Sequence, residues 1–506
     1  MAYRVGIIDT RERAMSLDAL DSTHAVVQHV ATAAQASQAF DAITYSKGEA
    51  VIRMLENHVG AEAWRAGVRA YMKRHAYGNT VSDDLWRALE QTTGKPIMAI
   101  AHDFTLQPGV PMIRVADVSC KAGNSIITLT QAEFSRSQPD KKALGWRVPV
   151  TLQVGASGPP VQALVRNQKA VVRAPGCGAV LVNAGQTGYY RTLYEPTNFA
   201  ALVANFGALA PVDQLGLLAD TAQLGLAGLQ PLSDFLALVD ATPLSAEPKV
   251  WSEIAEVFAA MDRYYAGDTT RQGRFRHFAL ARLTPIMAQL GWIAKAGEPD
   301  AIAPIREQLV LAMSALDDQP TIAEARRRYA SNDIGSAALR KMTLSVLAEH
   351  ADSATWEKLR RAAQTETSTV VKVQLYDLLA ASKDDTLARQ ALELALTDEP
   401  GLTTSAGMIR RVADYHPDLA FDFAIAHRAS VDLLVDITSR SRYFPALAVN
   451  SADPAMRKKL VAYADAYLTQ DARRELDISV AKITDRIRVQ DAPLRSIDRW
   501  LERNPG

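Results

Sequence analysis

Only two cysteines, Cys120 and Cys177, occur in 506 residues. Neither belongs to a Cys-x-x-Cys pair, which excludes a zinc ribbon and a thioredoxin-like site, and two isolated thiols are expected to stay free. An excess of one charge is also missing. Lys and Arg total 56, as do Asp and Glu, so no net field draws the chain to nucleic acid or to an anionic membrane. Small molecules and neutral polymers stay open as ligands. No apolar run reaches about 18 residues, so no membrane span is expected. The opening MAYRVGIIDTRERAM has no continuous apolar core and does not read as a signal peptide. As written the chain is expected in the cytoplasm, though a longer parent could have carried an export signal. Several chemical signatures are absent too. No His is followed by Glu, which removes His-Glu-x-x-His. Gly155-Ala156-Ser157-Gly158 misses the spacing of a nucleophile elbow. There is no Gly-x-Gly-x-x-Gly and no P-loop, since Gly94-Lys95 runs into Pro96.

What is present is a globular composition, 48% hydrophobic and 22% charged, with length for two to four domains. Asp41 to Val59 carries Ile43, Val51, Ile52, Met54, Leu55 and Val59 near a helical period, with Gly60 as the stop. Ala61 to His75 repeats the pattern. Ser82 reads as the N-cap of DDLWRALEQTT, which Gly94 ends. Ile97 to Thr105 is a fourth helix before Gln107-Pro108-Gly109. From Val110 the texture changes to short strands at 126–129, 148–152, 163–165, 170–172, 179–182 and 189–193, separated by Gly, Pro and Asn, which predicts a small β-sandwich. After Pro196 the chain reads as helical to Leu501, with Gly or Pro breaks every 15 to 25 residues. That spacing predicts an α-solenoid of HEAT or armadillo type, with a large helical bundle as the competing architecture.

Isolated polar residues have ordinary readings. His24 and His29 are five apart and share a helix face poorly, so they read as structural rather than as metal ligands. His102-Asp103 has no nucleophile nearby. Arg326-Arg327-Arg328 reads as a solvated helix face.

One ordered series stands above these: Ser22-Thr23-His24, then FDAITYSKG from Phe40 to Gly48, Met54-Leu55-Glu56, Tyr77-Gly78-Asn79, Asp84-Leu85-Trp86, and Gln107-Pro108-Gly109-Val110-Pro111. It resembles the second half of the thermolysin-like domain of the M1 family of zinc aminopeptidases. Val182-Asn183-Ala184-Gly185-Gln186-Thr187-Gly188-Tyr189-Tyr190-Arg191 resembles that family's signature at the end of its β-sandwich. The resemblance runs from about Arg11 to residue 506, with Met1 to Asp9 reading as a start at an internal methionine. Phe104 stands where the family often has Trp. The resemblance implies a mainly α fold in three parts: residues 1–109, the rear helical half of a thermolysin-like catalytic domain; 110–196, a β-sandwich; and 197–506, a helical-repeat domain.

By the motif match Tyr45 is the counterpart of the family's transition-state tyrosine. Its neutral phenol suits a hydrogen bond to an oxyanion that forms only during reaction. The family's zinc ligands, general base and amine-binding segment are not in this sequence and are expected upstream of residue 1. Zinc is therefore expected only in a full-length parent, and no cofactor in this chain. The expected function is a truncated metallo-aminopeptidase, inactive alone, with peptides as ligands. Three alternatives stand beside it: a peptide-binding helical scaffold, a metal-free hydrolase built on Tyr45, Lys47 and Glu49 or on another serine, and one half of a split enzyme. Loss of packing partners by the helices from Asp41 to Thr105 predicts self-association or docking of a zinc-bearing half.

Overall fold

Periodicity carries the first hundred residues into helices that end close to their expected stops. The computed structural model describes residues 2–32, 35–36, 39–136, 138 and 141–504; Met1, the expected internal start, lies outside them. The chain divides into two compact units, residues 1–246 and 247–506. In the first, helix α1 (Ala2–Asp18) buries Ile8, Arg11, Ala14, Met15 and Asp18, a stripe at helical spacing. A five-residue π-turn, Ile43–Lys47, leads into α2 (Gly48–Val59), so the expected single helix has two geometries. Helices α3 (Ala61–Arg74), α4 (Ser82–Thr93) and α5 (Ile97–Thr105) follow. The expected N-cap is off by one residue. Val81 holds that position, and the Asp84 carboxylate accepts the Val81 N–H at 3.0 Å, so Ser82 is the first helical residue.

The sandwich pairs a four-stranded sheet, in the order 169–175, 124–134, 110–121 and 191–194, with a three-stranded one, in the order 161–165, 148–154 and 180–182. Strand β1 (Val110–Lys121) and β2 (Asn124–Phe134) form an antiparallel hairpin through Ala122-Gly123, both at positive φ as a tight hairpin turn requires. Strand β7 (Arg191–Tyr194) runs parallel to β1. The other sheet centres on β3 (Val148–Val154), between β4 (Val161–Val165) and β6 (Val180–Val182), while β5 (Lys169–Pro175) edges the first. Strand β1 escaped the sequence reading because its first half is almost wholly buried and its second half mostly exposed, so no alternation marks it. Tyr189 and Tyr190, read as strand, are instead buried residues ahead of β7.

The thiols are not free. Cys120 and Cys177 form a disulfide with Cα atoms 5.6 Å apart. The pairing follows from the sheet: the Gly176 N–H donates to the Gly123 carbonyl at 2.9 Å, which brings the segment after β5 against the end of β1. Spacing along the chain, 57 residues, hid this proximity. Helices α6 (Pro196–Ala204), α7 (Pro211–Ala227) and α8 (Ser233–Asp240) complete this unit.

The second unit is a stack of helices. Helices 248–262, 302–315, 337–349, 369–379 and 402–412 each contact the next in one row, and 319–330, 353–365 and 385–395 lie between them in sequence as the other layer. This alternation is the two-layer arrangement of a helical-repeat domain. Prolines expected as breaks sit at helix starts: Pro248 and Pro417 are first helical residues, and Pro320 is in the first turn. The last helix, Arg474–Arg503, packs back on Thr269–Leu290. The arginine run is only partly solvated. Arg328 is buried, held by Glu324 and Asp333 at 2.8 Å each, because one residue of a three-residue run must turn inward on a packed helix.

Removing the disulfide by Cys120→Ser with Cys177→Ser is expected to cost about 2–4 kcal/mol of the first unit's stability. Urea unfolding with and without reductant checks this; the reduced native protein should match the double variant.

Candidate active-site tyrosine and the network behind it

Tyr45 stands out from the π-turn, 59% exposed, while Ile43 and Lys47 on either side are 1% and 0% exposed. Asp41 sets the turn: its Oδ1 accepts the N–H groups of Ile43 and Thr44, each at 3.0 Å. His24 holds Asp41 in turn, with Nε2 2.9 Å from Asp41 Oδ2 and Nδ1 2.7 Å from the Ala25 carbonyl. His24 is thus a positioning residue for the tyrosine's segment. The Tyr45 ring lies 6.1 Å from that of Phe40, which is 68% exposed. Tyr45, Lys47 and Glu49 are not brought together. Lys47 points into the interior, and Glu49 lies 3.7 Å from Arg53.

Lys47 is the anchor beneath Tyr45. Its Nζ lies 2.8 Å from Asp18 Oδ2 and donates to the carbonyls of Gln107 at 3.2 Å and Gly109 at 3.3 Å. It also sits 5.5 Å above the centre of the Tyr189 ring. Asp18 accepts three further hydrogen bonds: from Thr23 Oγ1, from the Gly109 N–H at 2.8 Å and from the Tyr189 hydroxyl at 3.0 Å. Burial, with the Asp18 charge, pushes the Tyr189 phenol well up, so it stays a donor. Gly109 has φ +94°, and a Cβ there would come within 2.6 Å of Glu133, which accounts for the glycine of the Gln-Pro-Gly turn.

A second buried network fastens α1 to the sandwich. Arg191 pairs with Glu12 and, at 3.1 Å, with Asp220, whose other oxygen accepts the Thr192 N–H at 3.0 Å. Burial works against the Glu12 carboxylate, but Arg191 and Arg11 outweigh it and hold its pKa low. Asp220 is pushed up to about 6 by burial, which Arg191 only partly offsets. Arg11 donates to the Gln186 and Gly188 carbonyls at 3.1 and 3.2 Å. Asn183, at φ +64°, closes its own loop: Oδ1 accepts the Gly188 N–H at 2.8 Å. A Cβ on Gly188 would come within 2.1 Å of the Tyr190 ring. The Asn183-to-Arg191 signature is therefore packing chemistry.

The residues present do not fit a zinc site: among the described residues, no three His, Cys, Asp or Glu side chains cluster so as to hold a metal ion. His102 and Asp103 are not paired with each other. His102 meets Asp83 at 2.7 Å, and Asp103 accepts from Arg147 at 2.9 Å. In the second unit Ser314 Oγ lies 3.1 Å from His350 Nε2, but it is wholly buried and donates to Glu349 at 2.5 Å, which leaves no accessible nucleophile. Sequence reasoning missed Asp18, Arg11, Glu12, Asp213 and Asp220, since a charged residue on a helix reads as surface until its partners are known.

The comparisons with known proteins agree with this geometry. The profile of the ERAP1-like C-terminal domain matches residues 179–488, and that of the peptidase family M1 domain matches residues 2–104. The chain belongs to the M1 aminopeptidase family. It is 28% identical to Aminopeptidase M1 of Arabidopsis thaliana over 78% of this chain and 47% of that protein. It is 26% identical to the puromycin-sensitive aminopeptidase of Caenorhabditis elegans over 75% of this chain and 41% of the relative. For Tricorn protease-interacting factor F2 of Thermoplasma acidophilum the figures are 29%, 69% and 43%. The chain spans about half the length, or less, of these curated relatives.

Two outcomes are expected. Lys47→Met strands the Asp18 carboxylate and should cost about 3–5 kcal/mol by urea unfolding, with Asp18→Asn costing a similar amount. Asp213, which accepts the Gly185 N–H at 2.7 Å, is raised to about 6 by burial, against 3.8 ordinarily. The folded state then holds this proton more tightly than the unfolded one, so the group's contribution falls as pH rises from about 4 through 6. Asp213→Asn should therefore gain roughly 2–3 kcal/mol relative to the parent between pH 4 and pH 7, read from unfolding midpoints at both pH values.

Proposed function

We propose that this chain is the tyrosine-bearing rear portion of a peptide-cleaving M1 enzyme, and that Tyr45 donates its hydroxyl hydrogen bond to the oxyanion formed on the attacked peptide carbonyl. The observation that carries the reading is the display of Tyr45: an exposed phenol on a turn whose two flanking side chains are locked in the interior. A neutral donor held in place before charge develops lowers the barrier without reorganising during the reaction. Residues 1–109, 110–196 and 197–506 are read as the rear catalytic half, the sandwich and the helical-repeat domain. No step through a metal follows from these residues. The metal-binding and base residues are proposed to come from outside them, with peptides as the substrate class.

The stretch from Phe40 to Leu106 also exposes Met72, Tyr77 and Val81, with Tyr77 at φ +61°. An apolar display of this kind supports docking of a metal-bearing half, or self-association. No helix among the described residues is long and apolar enough to cross a membrane. The Cys120–Cys177 disulfide supports an exported parent over a cytoplasmic one.

The purified chain, given an aminoacyl arylamide and zinc, is expected to show no chelator-sensitive turnover; such turnover would sink the proposed division of labour. Joined to a polypeptide that carries His-Glu-x-x-His, it should become active. In that assembly Tyr45→Phe should lower kcat by about 10²–10³ while sparing KM. Equal kcat values would remove Tyr45 from the chemistry.

A further inference from the structure

A cavity of about 230 Å³ in the second unit is lined by Asp262, Arg263, Gln272, Arg276, Lys383, Asp414, Tyr415, Asn450 and Arg486, among others. Its charges divide into satisfied and unsatisfied groups. Asp262 takes Arg276 on both oxygens, at 2.7 and 2.8 Å. Asp414 accepts from Arg411 at 2.6 Å. Lys383 is spent on Asp317 at 2.8 Å and Glu349 at 3.1 Å. Arg263 and Arg486 remain, and neither is ion-paired among the described residues, the charge of Asp485 acting on Arg486 only without a direct contact. Arg263 lies over the Tyr415 ring, 5.6 Å from its centre, and Arg486 over the Tyr264 ring at 5.1 Å. A guanidinium stacked on a ring keeps its N–H edge for a planar or tetrahedral oxyanion. Arg486 is half-buried and spends one N–H on Asn450 Oδ1 at 3.3 Å, while its Nε is buried with no hydrogen-bond partner. Burial, with the charge of Arg263, draws its pKa down. Two guanidinium groups of like charge on one open space favour a ligand that supplies negative oxygen.

We propose that this cavity is a binding site for a small oxyanion, phosphate or carboxylate, held between the guanidinium groups of Arg263 and Arg486 with Asn450 and Gln272 beside it. The volume admits one such group with a few waters, at about 30 Å³ each. The site shares no residue with the Tyr45 region and does not depend on the chain being a peptidase.

Calorimetric titration and thermal unfolding of the whole chain test the site, with sodium phosphate and sodium acetate each set against sodium chloride at equal ionic strength. Saturable binding of at least one oxyanion, with a raised melting temperature, is expected. Preference for phosphate identifies a phosphate ligand, and preference for acetate a carboxylate. Arg486→Gln and Arg263→Gln should each weaken the binding by about tenfold or more. If Arg486→Gln fails to fold, the exposed Arg263 carries the test alone. No saturable response beyond chloride, or unchanged affinity in the folded variants, overturns the proposal.

Discussion

The arrangement of the first unit depends on one buried ion pair, Asp18 with Lys47. Both side chains are wholly inaccessible to water. Such a pair is a weak source of net stability, because desolvating two ions costs about what their attraction returns. Its worth is in specification. Asp18 ends α1, Lys47 ends the π-turn, Gly109 belongs to the turn ahead of β1 and Tyr189 precedes β7; each supplies a hydrogen bond, a charge or a ring to the same point. Four segments far apart in sequence can satisfy that carboxylate and that ammonium together in one register only. Ser-Lys-Gly, Gln-Pro-Gly and Gly-Tyr-Tyr-Arg thus meet at one buried point, where each satisfies part of the same ion pair.

The Arg191 network repeats the device a short way along α1. Glu12 and Asp220 share one guanidinium, and the sharing is uneven, with Glu12 held low and Asp220 pushed up to about 6. Arg11 is the difference: it pairs with Glu12 at 3.1 Å and not with Asp220, so burial prevails only at Asp220. The second unit is held differently. It has an aliphatic and aromatic core built on Trp356, Leu375, Tyr376, Ile409, Phe421 and Phe444, and ion pairs such as Arg306–Glu298 and Arg360–Glu399 join its helices and loops.

How much of this was legible in the sequence follows from which forces are local. Helix ends at Gly60 and Gly94 were legible because the chain's own backbone terminates them. The strands that alternate, such as β3, were legible by their period. Strand β1 was not, since one half of it is buried and the other mostly exposed, with no alternation along it. The Cys120–Cys177 bond was not, because 57 residues, with strands β2 to β5 among them, separate two atoms that only sheet register brings together. Tyr45 could be found by its surrounding motif, whereas Asp18 could not. A lone aspartate at the end of a helix carries no mark of the lysine that will bury it, and only the folded chain supplies one.

Spacing explains why Tyr45 and Lys47 have opposite fates. Successive helical residues turn by roughly 100°, so residues two apart point to nearly opposite sides. Burying Lys47 on Asp18 fixes the rotation of the whole turn and thereby forces Tyr45 outward. The wider π-turn leaves them on nearly opposite sides as well. The same reasoning separates packing from display at this site. Ile43 fills the interior, Lys47 locks the rotation, and Asp41 with His24 holds the entry. Tyr45 is the one long side chain of the turn left free of a packing role. The direction in which this phenol leaves the turn is therefore set by the chain's own packing, by Lys47 on Asp18 and by Asp41 at the entry.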